Sequence, residues 1–196
     1  MRKEPVIYLD HGATTPVDPV AVEAMAACLR ENFGNPASIQ HEPGQRAAAA
    51  LENFAVDISA AIGGAAKDLI FTSGATESIN LALRGCMDFY RDRGRHLVVG
   101  AADHPAVLET AAALRRDGCE VTILPVEGDG TLCPERFAAA LRDDTVIASA
   151  THANNELGSI QELGALGTLT RKRGVLFHVD AAQSFGKLAI DVEADH

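Results

Sequence analysis

From about residue 69 the chain alternates short apolar runs with longer amphipathic ones, each run closing in small or polar residues, and few folds accept that rhythm. It is the pattern of an α/β protein with a mostly parallel sheet flanked by helices. Strands are expected at residues 69–72, 96–100, 121–124, 145–150 and 175–179, with helices between most of them. Several are β-branched and apolar throughout, as strands covered on both faces tend to be. A hydrophobic share of 47% against 22% charged residues agrees with a globular chain that buries a core.

The first third has a different texture. An extended start through Leu9 leads to an expected helix over residues 19–31, a loop rich in Gly, Asn and Pro, and a second helix over 44–62 that Gly63-Gly64 ends. The reading is an extended segment at 1–14, a helical region at 15–64 and an α/β domain at 65–196, with no Pro-, Gly- or Ser-rich linker between them.

Seventeen Lys and Arg oppose 27 Asp and Glu, for a net charge of -10, which repels nucleic acid and anionic lipid. Neither partner is expected. An anionic ligand would need a local cup of backbone N–H groups. No apolar run reaches the ~18 residues of a membrane span, and no signal-peptide core follows the start, so a cytoplasmic location is expected. Cys28, Cys86, Cys119 and Cys133 are scattered without ligand spacing, so no metal site is expected and buried thiols are.

Four segments carry polar groups where strands should end. In LIFTSGATESINLAL, residues Ser73 to Thr76 lie between a strand and a helix, where free N–H groups and the positive helix end suit a phosphate. Gly74 permits close approach, Thr76 can donate its hydroxyl, and the P-loop lysine and spacing are missing. HLVVGAADHPAVLET leaves His104 at a strand's C-terminal end. In TVIASATHANNELGSIQ a strand gives way to Asn155, and in GVLFHVDAAQSFGK one ends at Asp180 with Gln183 following. Singly, each is also what capping or turn chemistry produces. Together they supply a phosphate cup, a ring-stacking imidazole, an oxygen partner and a carboxylate that keeps a pyridine nitrogen protonated, a set that suits pyridoxal 5′-phosphate (PLP). A nucleotide-binding α/β domain is disfavoured by the missing GxGxxG and P-loop.

The motifs YLDHGATTP, FGNPASIQHEPG, FTSGATES, DHPAVLET, THANNELGSIQ and HVDAAQSFGKL, in this order and spacing, resemble the N-terminal half of the NifS/IscS-type cysteine desulfurases, within the class V aminotransferase family. The resemblance implies the PLP-dependent transferase fold type I, truncated here before its C-terminal half, with residues 15–64 contributing to a small domain and the interface of a homodimer. It implies that Ala75 and Thr76 bind the cofactor phosphate, that His104 stacks on the ring and serves catalysis, and that Asn155 and Gln183 contact the ring-oxygen side. Asp180 becomes the pyridine partner. Ala13, Thr14 and Asn35 fall on the substrate side.

By the same resemblance, L-cysteine gives its sulfur to a loop cysteine as a persulfide and leaves as alanine. The sulfur then passes to acceptor proteins such as an iron–sulfur scaffold. The Schiff-base lysine, the loop cysteine and the substrate-binding arginine would all follow His196, so this chain is expected to be inactive alone. Lys187 sits in a GKL stretch that the family carries besides its catalytic lysine. The alternatives are a non-catalytic PLP-binding or sulfur-transfer interaction protein, or a related PLP lyase such as a selenocysteine lyase. A sheet lacking strands should also expose apolar surface and associate.

Overall fold

Residues 7–195 are described by a computed structural model, which divides in sequence between Leu69 and Ile70 into two units.

In the first unit, helix α1 (Pro19–Glu31) begins where Asp18 accepts a hydrogen bond from the Val20 N–H at 2.8 Å, with Pro19 in the first turn. Helix α2 (Glu42–Ala60) starts two residues earlier than the sequence suggests. Its cap is the His41 ring, whose Nδ1 accepts from the Gly44 N–H at 3.1 Å. The helix closes as expected, with Gly63 at φ 67° and the Gly64 N–H returned to the Ser59 carbonyl at 2.9 Å. A short 3-10 turn, Ala66–Asp68, packs back on α2.

The loop between α1 and α2 is held by contact rather than by a core. A Cβ at residue 44 would lie 2.0 Å from the Ser38 carbonyl oxygen, and one at residue 34 would lie 2.1 Å from that of Pro43. Backbone touches backbone at both places, so Gly44→Ala forces the loop off the helix and should cost about 1–3 kcal/mol. Urea denaturation followed by circular dichroism checks this, and an unchanged midpoint would show that the close approach does not exist.

The second unit is a four-stranded, wholly parallel sheet in the order β2-β1-β3-β4, built from β1 (His96–Gly100), β2 (Glu120–Leu124), β3 (Thr145–Thr151) and β4 (Leu176–Asp180). The central strands are the covered ones: β1 is buried along its length and β3 is buried up to Thr151, whereas edge strands β2 and β4 are largely half-buried. Alternation sends Leu97 and Val99 to one face and Val98 to the other.

On the first face, helices α3 (Ala75–Phe89) and α4 (Pro105–Arg116) bring Ile79, Leu83, Met87, Val107 and Leu114. On the second, helices α5 (Pro134–Ala140) and α6 (Leu163–Arg173) bring Phe137 and Leu166. The sheet's N-terminal end is tied by His96, fully buried, whose ring nitrogens meet the Thr145 and Thr122 hydroxyls at 2.7 and 2.8 Å. Burial lowers its basicity and favours the neutral ring that this pair of bonds accommodates.

Two expectations fail. Residues 69–72 form no strand: the backbone at Leu69 is extended, but no described segment pairs with it, and Ile70 and Phe71 are 70% and 50% exposed. The four cysteines are free and half-buried rather than buried. Among the described residues no helix is long and apolar enough to cross a membrane.

Candidate cofactor site

Because the sheet is parallel, β1, β3 and β4 all end at one edge. The chain leaves β1 for β2 on one side and returns to β3 on the other, so the loops that exit β1 and β3 diverge at a topological switch point. Ligands of open α/β sheets bind in that crevice. His104 lies in the first exit loop and Asn155 in the second, and Asp180 is the last residue of β4.

Helix α3 starts at Gly74, whose φ and ψ of 157° and 178° are rarely adopted by residues with side chains. No side chain caps it, which leaves the first-turn N–H groups of Ala75 and Thr76 without intrahelical partners. Glu77 takes the neighbouring donors, accepting from the Ser73 N–H at 2.7 Å and from the Ser73 hydroxyl at 2.6 Å. Those two bonds, the hydroxyl's first, hold the Glu77 carboxyl below the usual carboxylate range. The N–H groups of Ala75 and Thr76 are therefore the ones this helix end could offer an anion, while Ser73 is already engaged.

Thr76 and His104 line one open groove of about 440 Å³ between α3 and α4, together with Asn80, Arg84 and Arg116. Its two guanidinium groups are offset by Glu109 in the same lining and by Asp117, which pairs with Arg84 at 3.9 Å, so an anion there would depend on the N–H groups of the α3 end. His104 is exposed and caps α4, its Nδ1 accepting from the Ala106 N–H at 3.1 Å. The capping role weighed from the sequence is thus real, and it anchors one nitrogen of an exposed ring.

Of the paired asparagines, Asn154 builds the loop. Its Oδ1 accepts from the Glu156 and Leu157 N–H groups and its Nδ2 donates to the Ala102 carbonyl at 2.7 Å. Asn155 is exposed beside it. Asp180 is 8% exposed and accepts from the Ala182 N–H at 3.0 Å, and Gln183 is half-buried in the following turn.

Sequence reasoning missed Asp103. It is 6% exposed, its carboxylate joins β1 to β3, and burial pushes its pKa up to about 6. The signal available was its place one residue before His104.

Ala13, Thr14 and Asn35 belong to the first unit. Ala13 and Thr14 sit in a turn closed on the Asp10 carbonyl, with the Tyr8 hydroxyl 3.1 Å from Thr14 Oγ1. Asn35 Oδ1 accepts from the Ala37 N–H at 2.9 Å.

The donor set fits PLP chemically. Unpartnered N–H groups and a hydroxyl at a helix N-terminus suit a phosphate dianion, and a buried carboxylate at a strand end suits a protonated ring nitrogen.

Residues 7–195 match the family described as Aminotransferase class-V, and the chain belongs to that family. Within it, the chain is similar to the N-terminal half of cysteine desulfurases: it is 52% identical over 189 residues to the cysteine desulfurase IscS of Pseudomonas entomophila and 49% identical to that of Azotobacter vinelandii. Each alignment covers 95% of this chain and 47% of the relative, so the chain spans about half the length of the curated relatives it matches. Among solved structures, a NifS-like protein superposes with a TM-score of 0.92 at 34% identity, over 97% of this chain and 52% of its own. A structure titled SspA in complex with cysteine gives 0.91 at 34% identity, over 96% and 54%.

Proposed function

We propose that this chain is the phosphate- and pyridine-binding part of a PLP-dependent cysteine desulfurase that converts L-cysteine to alanine and passes the sulfur on as a persulfide. The observation that carries the reading is the uncapped N-terminus of α3, with Thr76 sharing a groove with His104. When bound, the cofactor supplies an electron sink for charge developing on the substrate.

The chain's own residues do the rest. Ala75 and Thr76 hold the phosphate. His104, anchored at Nδ1 by the Ala106 N–H, presents a ring face to the pyridine and holds a proton at Nε2. Asp180 keeps the pyridine nitrogen protonated, and Asn155 and Gln183 serve the ring-oxygen side. Ala13, Thr14 and Asn35 serve the substrate side, and residues 15–64 contribute to a small domain and a homodimer interface. In the cytoplasm the sulfur would go to acceptors such as an iron–sulfur scaffold.

The lysine, loop cysteine and arginine of the family mechanism have no counterparts on the matched motifs, and Lys187 is exposed in the turn after Asp180. By itself, therefore, the chain binds PLP without covalent attachment and releases no alanine from cysteine. Equilibrium dialysis with PLP and with inorganic phosphate tests the reading. Thr76→Val should weaken both ligands by about threefold to tenfold, the loss of one hydrogen bond in a groove where water competes for it. Wild-type protein that retains neither ligand, or a borohydride-trapped lysine adduct, would overturn it.

A further inference from the structure

Asp103 occupies a position that the proposed reaction does not explain. Its Oδ2 accepts from the Gly100 N–H at 3.0 Å, and its Oδ1 accepts from the Thr151 N–H at 3.0 Å. One carboxylate thus spans the end of β1 and the end of β3. A second tie runs alongside, from Asn154 Nδ2 to the Ala102 carbonyl at 2.7 Å. The loop carrying His104 and the loop carrying Asn155 are therefore joined twice at the switch point.

The carboxylate also has room made for it. A Cβ at residue 100 would lie 3.0 Å from Asp103 Oδ1, so glycine at the end of β1 is what lets the side chain fold back. Asparagine cannot copy the arrangement. Each carboxylate oxygen faces an N–H donor, and an amide would turn its own NH₂ toward one of them.

Burial works against the charge, and so does Asp180, the other carboxylate whose field acts on this group. Asp103 is an acid whose folded pKa lies above its unfolded value. Its ionisation therefore costs the fold stability that is lost as pH rises from about 4 to about 6, and nothing further above that. What the carboxylate gains in return is geometric, one bond to the end of β1 and one to the end of β3.

We propose that Asp103 is a positioning residue, whose carboxylate clamps the exit loops of β1 and β3 and thereby sets His104 and Asn155 in register with each other across the site. The consequence for PLP rests on the function proposed above. The clamp itself does not.

Asp103→Asn, compared with wild type at pH 8, separates the two. In the ligand-free chain, amide hydrogen exchange at Thr151 or Gly100 should speed up about tenfold or more. PLP affinity should fall about threefold to fivefold, inorganic phosphate affinity should hold, and the thermal midpoint should move by no more than a few degrees, because escape from burying a charge offsets the N–H left facing the amide's NH₂. A merely structural role would lower the midpoint and both affinities together.

Unchanged exchange at both amides would overturn the clamp. Faster exchange with unaltered PLP affinity would overturn its role in positioning. Wild-type protein that binds no PLP would count against the proposed function, while the exchange data still decide the clamp. Should the variant fail to fold, Gly100→Ala displaces the carboxylate without removing it and should speed Thr151 exchange in the same way. Wild-type protection there would overturn the clamp too.

Discussion

Asp180→Asn should weaken PLP binding by about 10- to 100-fold and leave inorganic phosphate binding untouched. The range is that of one charge-assisted hydrogen bond, about 1.5–3 kcal/mol, lost from a site that water scarcely reaches. Asp180 qualifies because it is 8% exposed at the end of β4, with its carboxylate already oriented by the Ala182 N–H. Asparagine keeps the size and the oxygen for Ala182 but cannot hold a proton on a pyridine nitrogen.

Dialysis with the two ligands reads opposite ends of the site. Thr76 should affect both, Asp180 only the one with a ring. An internal control needs no ligand: burial lowers the basicity of His178, on the same face of β4, and the Asp180 charge opposes that effect. His178 should therefore titrate lower still in the variant by NMR. Equal losses for PLP and phosphate would remove Asp180 from the ring end of the site.

The second large effect concerns the scaffold. Phe137→Ala should destabilise the second unit by about 3–5 kcal/mol, the usual cost of emptying a buried aromatic site. The ring is fully buried, packs with Leu141 and Leu166 beneath β1 and β3, and meets Phe177 of β4 edge-on at 6.2 Å. Few side chains of the chain are so large and so enclosed. Thermal unfolding should shift down by roughly 10 °C, with Phe137→Leu losing much less. A midpoint within a degree or two of wild type would mean that α5 does not pack on the sheet as described.

What could be foreseen follows a physical divide. Boundaries set by neighbours in sequence were readable: α1 runs from Pro19 to Glu31 as expected because Asp18 and Pro19 specify its start locally. The covered strands β1 and β3 were readable from their apolar composition. Residues 69–72 were not, because a strand is a property of a pair and an extended segment without a partner has the same sequence.

The site divides in the same way. Thr76, His104 and Asp180, the residues proposed to meet the cofactor, could be singled out because each ends a strand or begins a helix. Asp103 could be noticed only as the neighbour of His104, since its decisive bond reaches Thr151, 48 residues further on. Nor could the sequence tell which of Asn154 and Asn155 turns inward to build the loop and which stands exposed beside it.

The loop between α1 and α2, with its Gly, Asn and Pro, has the composition of a hinge, yet its glycines serve contact and not motion. Gly34 of the loop and Gly44 in the first turn of α2 each press a bare backbone against a carbonyl, and Gln45 closes the other end on Ile39 at 2.9 Å. Side chains added at residues 34 and 44 would therefore push the backbone apart, whereas Pro36 and Ala37 face outward and can vary cheaply.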